Sequence, residues 1–318
     1  MFEKLTVLVT GATGGQGGAV AHTLLKAGHS VHALVRSTTK PASVALSEAG
    51  AKLFEGDFDN TSALASAAKG CNALFLNVQP TFPDQTLELQ HARNIVKAAQ
   101  DAGIKHCVVS TATGAEGYLE YKSLDPSSVF LANYWASKKA VQDLVMKSFE
   151  RWTVLQPAWL MANWIAPHTA QYWPELASSH TMINAFGPGT KIDLCASDTV
   201  GAFALAAFEG SGSERSQEGL MPLDGKIVKL AGDKLDIDEI AKVVGEVAGM
   251  EVAVRYRSEE EIEELKYVDP MVATQVWQRV DGCGVDIEET KKYGVELLTF
   301  REYLEERRDK VKAALGVE

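Results

Sequence analysis

Tyr134 and Lys138 stand four residues apart in Asn133-Tyr134-Trp135-Ala136-Ser137-Lys138, within a stretch whose pattern predicts a helix over 130–149. Residues at that spacing share one helical face. An ammonium beside a phenol favours the phenolate and lowers the phenol's pKa. Tyr134 could then pass a proton to a carbonyl oxygen while Lys138 holds the sugar of a hydride donor. The bland alternative is a surface pair, because the spacing recurs by chance. Hydroxyls come shortly before: Val109-Ser110-Thr111-Ala112-Thr113 ends a predicted strand. Thr111 would complete a catalytic set and Thr113 would meet substrate, or both simply satisfy backbone groups at the strand end.

A hydride donor needs a cradle, and Thr10-Gly11-Ala12-Thr13-Gly14-Gly15-Gln16-Gly17 has the composition of one, with glycines spaced G-x-x-G-x-x-G. Glycine permits the tight turn and the close approach of backbone to a pyrophosphate, while the following helix presents free N–H groups and positive potential. Gly11, Thr13, Gly14, Gly15, Gln16 and Gly17 are therefore the candidates for phosphate contacts. The next strand ends Ala33-Leu34-Val35-Arg36. A carboxylate there would select NAD through the ribose hydroxyls. A guanidinium favours the 2′-phosphate of NADP(H), with Lys40 as a possible second cation. Gly56-Asp57-Phe58 sets a carboxylate and a ring where adenine would lie, although Asp57 can equally cap the helix starting near Asn60. Asn77 and Val78 end the fourth strand at the expected cofactor edge, and Pro157, with Lys138, joins the cofactor set.

Positioning these residues requires strands at 5–10, 31–35, 52–55, 73–77, 106–110 and 152–156, with helices between them to 27 and over 60–69, 84–102 and 130–149. That alternation predicts an α/β fold, a Rossmann-type doubly wound parallel sheet over residues 1–156 that binds NADP(H). Residues 157–318 are expected to form a smaller C-terminal α/β substrate portion, interleaved with the sheet through returning strands near 190–195 and 226–230. Residues 157–195 are rich in Trp, Tyr, Asn and Pro without a clean period, which reads as loops and short elements covering a site. Trp159, Asn163 and Trp164 are candidate substrate contacts in that run, core packing being the alternative. Helices are expected at 199–208, 237–248, 259–264 and 299–315, and a polar loop at 210–219.

Composition narrows the partners. The chain has 318 residues, 46% hydrophobic and 23% charged, which suits a folded globular protein. Residues 201–318 hold 26 acids against 16 bases and the first 200 residues 16 against 15, so the formal charge of −11 is carried C-terminally. With no basic stripe, direct nucleic-acid binding is not expected. Four scattered cysteines form no C-x-x-C pair, and the histidines, His168 and His180 included, show no ligand spacing, so neither a disulfide framework nor a metal is expected. The N-terminus resembles neither a signal peptide nor a membrane span, giving a cytoplasmic expectation.

With those pieces placed, the chain resembles an NmrA-like member of the atypical short-chain dehydrogenase/reductase superfamily. The likeness rests on VLVTGATGGQGGAV, HALVR, EGDFDN, the YWASK helix followed by WTVLQPAWLMANW, Asp198-Thr199-Val200-Gly201, and IVKLAGDKLDIDEIA. It implies NADP(H) held by Gly11, Gly14, Gly17 and Arg36, adenine contacts from Asp57 and Phe58, and a C-terminal portion closing over a small-molecule substrate. The family includes reductases as well as NADP(H)-sensing regulators without known catalysis, in which the tyrosine is commonly replaced. Tyr134 and Lys138 are both present, which implies an NADPH-dependent reductase of a carbonyl, C=C or C=N bond. Against it, Ala112 falls where extended relatives carry a catalytic serine, and Gln156 falls where many have an arginine. The alternative is a sensor acting through a protein partner.

Overall fold

The computed structural model describes residues 4–81, 84–124, 129–210 and 221–317. The first half runs β1 (Thr6–Val9), α1 (Gly15–Lys26), β2 (Ser30–Val35), α2 (Pro41–Glu48), β3 (Lys52–Glu55), α3 (Thr61–Ala68), β4 (Ala73–Asn77), α4 (Leu87–Asp101), β5 (His106–Ser110), α5 (Val129–Ser148) and β6 (Arg151–Pro157). Next come β7 (Trp159–Leu160), α6 (Thr169–Tyr172), α7 (Leu176–Ser179), β8 (Thr181–Asn184), β9 (Ile192–Cys195), α8 (Ser197–Glu209), β10 (Lys226–Leu230) and β11 (Asp233–Leu235). The chain ends with α9 (Ile237–Ala248), β12 (Ala253–Tyr256), α10 (Glu259–Leu265), α11 (Pro270–Val280), α12 (Ile287–Lys291), α13 (Phe300–Glu305) and α14 (Arg308–Ala314).

Seven strands make one parallel sheet in the order β10-β6-β5-β4-β1-β2-β3. Its central strands β1, β4 and β5 are largely apolar because both faces are covered, the edge strands β3 and β10 carry exposed charges, and successive side chains go to opposite sides. Val7 and Val9 pack with Val20 and Leu24 of α1 and Phe203 of α8. Leu8 faces the other way, toward Leu64 of α3, Ile95 of α4 and Val141 of α5. This is the doubly wound Rossmann-type α/β fold expected from the alternation. The strand order reverses between β1 and β4, where a crevice opens at the carboxyl edge.

The sheet is completed from beyond residue 157. β10 pairs with β6, Lys226 opposite Thr153. α8 lies on α1, a closeness that Gly201 permits, since a Cβ there would come within 2.8 Å of Thr23 Oγ1 and 3.0 Å of the Ala19 carbonyl. The other expected returning strand, β9, belongs instead to a three-stranded sheet with β7 and β11.

The run 157–195 holds the short elements and connections expected of it. Its tryptophans enter a second core with Phe186, Trp277 and Phe300, and that core also takes Leu131 and Trp135 from the first half of α5. The helix expected over 299–315 breaks into α13 and α14 around Glu306 and Arg307. α2 and α11 were not expected, and each begins with proline in its first turn. Of the loop read at 210–219, residues 211–219 lie outside the described residues.

Candidate functional site

Thr10 closes β1 by locking it to β4. Its hydroxyl accepts from the Asn77 N–H at 2.8 Å and lies 3.1 Å from the Asn77 carbonyl. Gly11 then turns with φ +64°, a region that disfavours side chains, and its carbonyl accepts from the Gly14 N–H at 2.9 Å. Gly17 admits no substituent, because a Cβ would sit 2.3 Å from the Gly11 carbonyl oxygen. α1 begins at Gly15 with Gly14 as its N-cap, no side-chain cap and no acid in its first turn. Its opening N–H groups are thus left for an outside acceptor. Thr13, Gly14 and Gly15 are exposed, so an anion can reach them. The Gln16 Oε1 accepts from Ser110 Oγ at 2.6 Å, tying α1 to the end of β5. The Gln16 amide nitrogen and backbone N–H remain as donors to phosphate.

Arg36 follows β2 directly and is exposed, with no carboxylate partner among the described residues. Lys40 is exposed nearby in sequence. Glu55, opposite Val35 in the sheet, is turned toward Thr38, accepting from its N–H at 3.1 Å and its hydroxyl at 2.9 Å. Those two bonds hold its carboxyl below the usual carboxylate range. Asp57 does not cap α3. Its Oδ1 closes a turn by accepting from the N–H groups of Asp59 and Asn60, and Asn60 is the cap, accepting from the Ala63 N–H at 3.0 Å. Phe58 rests half-buried, its ring 5.6 Å from that of His91.

At the other end of the crevice, α5 delivers Lys138 to the end of β4. Its Nζ lies 3.5 Å from the Val78 carbonyl and donates at 2.5 Å to Oε1 of Glu88. The second oxygen of Glu88 accepts from Ser137 Oγ at 2.7 Å. Glu88 was missing from the sequence reading. A signal was there, for Glu88 falls on the stripe of α4 that buries Ala92, Ile95 and Ala99, where a carboxylate is out of place.

The effect on Tyr134 reverses the expectation. Lys138 lies over the face of the phenol ring, 5.5 Å from its centroid, rather than at its hydroxyl. Burial pushes the Tyr134 phenol well above its ordinary value, and the negative charge of Glu88 adds to the rise. Tyr134 is therefore a neutral phenol, packed among Phe130 and Trp135.

The hydroxyls behind it differ sharply. Thr113 donates to the Gln156 carbonyl and its N–H to the Pro157 carbonyl, so it is spent on tying the segment after β5 to the end of β6. Thr111 Oγ1 is buried with no hydrogen-bond partner among the described residues. Trp159 donates its indole N–H to Gln278 Oε1 at 2.9 Å and meets Phe186 edge-on. Trp164 is fully buried beside Trp173 and Phe300, and Asn163 is buried in the same turn. In this conformation Trp159, Asn163 and Trp164 are interior residues, so the packing alternative describes them better than a pocket wall. Among the described residues there is no cluster of three His, Cys, Asp or Glu suited to a metal, and no helix is long and apolar enough to cross a membrane.

Known proteins share this architecture. An NmrA-like family domain-containing oxidoreductase, FrzB, of Cladobotryum sp is 32% identical over 176 residues, 52% of this chain and 49% of that protein. The chain spans about half the length of the curated relatives it first matches. Among solved structures, Citrobacter sp. triphenylmethane reductase complexed with NADP(H) superposes with a TM-score of 0.71 at 21% identity, covering 98% of this chain and 100% of that one. NmrA, a negative transcriptional regulator, in complex with NAD gives a TM-score of 0.75 at 18% identity, covering 99% and 98%. The sequence pattern of the NmrA-like family matches residues 3–304, nearly the whole length, and this chain belongs to that family.

Proposed function

We propose that the chain is an NADPH-dependent reductase acting on a carbonyl, C=C or C=N bond of a small organic substrate. One observation carries the reading: the glycine turn that opens α1 and the ammonium of Lys138 both lie against the end of β4, Gly11 at Asn77 and Lys138 Nζ 3.5 Å from the Val78 carbonyl. The cradle fits a dinucleotide, since a bare Gly17 lets α1 start hard against the Gly11 turn and the first-turn N–H groups of α1 have no side-chain competitor. When bound, the dinucleotide supplies the hydride. Gly11, Thr13, Gly14, Gly15 and the backbone of Gln16 and Gly17 would hold its pyrophosphate, and Arg36 its 2′-phosphate. Asp57 and Phe58 would flank adenine, with Asn77, Val78 and Pro157 lining the sheet edge. Lys138 would donate to ribose hydroxyls. Tyr134 would meet the substrate as an un-ionised donor, and Thr111, whose hydroxyl is unclaimed among the described residues, would orient it. The names of FrzB and of triphenylmethane reductase support an oxidoreductase.

A second reading, an NADP(H)-responsive regulator acting through a protein partner, is favoured by the suppressed acidity of Tyr134 and by Ala112 at the end of β5. NmrA supplies a structural precedent for the fold. Calorimetric titration with NADPH and NADH, followed by NADPH consumption with aromatic ketones, enones and imines, separates the two. Turnover that Tyr134→Phe abolishes while cofactor affinity is retained supports the reductase. Tight NADPH binding without turnover of any panel member supports the regulator, and no binding refutes both.

A further inference from the structure

Glu88 is fully buried, 0% exposed, yet carries a carboxylate at the start of α4. Its two oxygens are divided between consecutive residues of α5: Oε1 takes Lys138 Nζ and Oε2 takes Ser137 Oγ. The bond from Ser137 stops the carboxylate from rotating away from the lysine. Three elements, α4, α5 and the end of β4 at Val78, thereby converge on one ammonium at the crevice. Stability alone is a poor reason for the arrangement. Buried ion pairs are often matched or bettered by apolar replacements of similar volume, because both charges lose water.

The alternative is orientation. A free lysine has several rotatable bonds whose freedom must be surrendered whenever its head group is fixed on a ligand. Here that freedom is already gone. With one N–H on Glu88 and one directed at the Val78 carbonyl, the third is left to donate. We propose that Glu88 is a positioning residue that presets Lys138 for the sugar hydroxyls of the bound dinucleotide. This rests on the reading of Lys138 given above, and it assigns Glu88 no contact with cofactor or substrate.

The full chain is compared as wild type, Glu88→Gln, Glu88→Asp, Lys138→Met and the Glu88→Gln/Lys138→Met double variant, using NADPH fluorescence titration, steady-state kinetics and thermal melting. Glu88→Gln should weaken NADPH binding roughly 10- to 30-fold, the worth of an unordered lysine side chain. The loss should appear in the KM for NADPH more than in kcat. In the Lys138→Met background the same substitution should change NADPH affinity less than twofold, because Glu88 acts only through the lysine. Glu88→Asp, which keeps the charge, should recover part of the affinity. If Glu88→Gln does not fold, the double variant against Lys138→Met and the Asp variant against wild type decide the matter. Affinity unchanged in Glu88→Gln, or an equal loss in both backgrounds, overturns the positioning role while leaving the cofactor reading intact. Wild type that binds no NADPH removes the cofactor reading itself, and this role with it.

Discussion

At the glycine cradle the groups offered to a ligand are main-chain N–H groups, exposed where Gly14 and Gly15 carry nothing that would cover them. At the α5 face the contribution is a side chain, and it depends on a residue distant in sequence: Lys138 on Glu88. The cradle is a local device, built within eight consecutive residues once β1 and α1 form. The α5 face is a tertiary device that exists only after α4 and α5 have packed. The first should tolerate changes elsewhere and fail abruptly when a Cβ is added. The second should fail by degrees, through loss of orientation.

The most severe way to break this contrast is at Gly17. Gly17→Ala drives a methyl onto the backbone of Gly11 and Thr10, which has no flexible end to yield. Overpacking of this kind costs about 1–3 kcal/mol, seen as a lowered melting temperature. NADPH affinity should fall on the order of 100-fold, because the turn that aims the N–H groups must open. A variant that binds NADPH like wild type would show that the cradle is not the binding device. Arg36→Ala comes next. Arg36 packs on nothing charged, so melting should not move, while NADPH affinity drops roughly 10- to 100-fold and NADH affinity less than twofold. Equal losses for both cofactors in calorimetry would remove Arg36 from the 2′-phosphate.

The same division explains what could be read from the residues alone. β4 and β5 are short, fully buried runs, and their limits at 73–77 and 106–110 were visible because burial on both faces leaves no competing pattern. α9 was equally plain, opened by the Asp236/Glu239 capping box and stopped by Gly249 with φ +79°. β8 and β12 escaped notice because each has four residues and only partial burial, and they are paired with each other rather than with the large sheet. Trp164 could not be placed by periodicity, since a core tryptophan and a pocket tryptophan look alike until Trp173 and Phe300 close around it. The i,i+4 spacing of Tyr134 and Lys138 shows that the two are neighbours and says nothing of the burial that raises the phenol's pKa, nor of Glu88, which takes the ammonium and adds its own negative charge to the rise.

Thr111 gives the smallest expected effect and the sharpest separation of stability from function. Its hydroxyl is buried without a partner among the described residues, so the folded protein already bears the cost of desolvating it. Thr111→Val keeps the branched shape and removes the unpaired oxygen, and melting should stay level or rise slightly. A residue present only to finish β5 would show nothing more, because its structural work is done by its N–H, which donates to the Leu155 carbonyl at 2.9 Å and survives the substitution. If the hydroxyl instead orients substrate beside Tyr134, kcat/KM should fall roughly 3- to 10-fold with NADPH affinity unchanged, the worth of one neutral hydrogen bond. Unchanged kinetics in the more stable variant would leave Tyr134 without a partner hydroxyl at the end of β5, since Ser110 is held by Gln16 and Thr113 by the Gln156 carbonyl. The balance would then shift from the reductase toward the regulator.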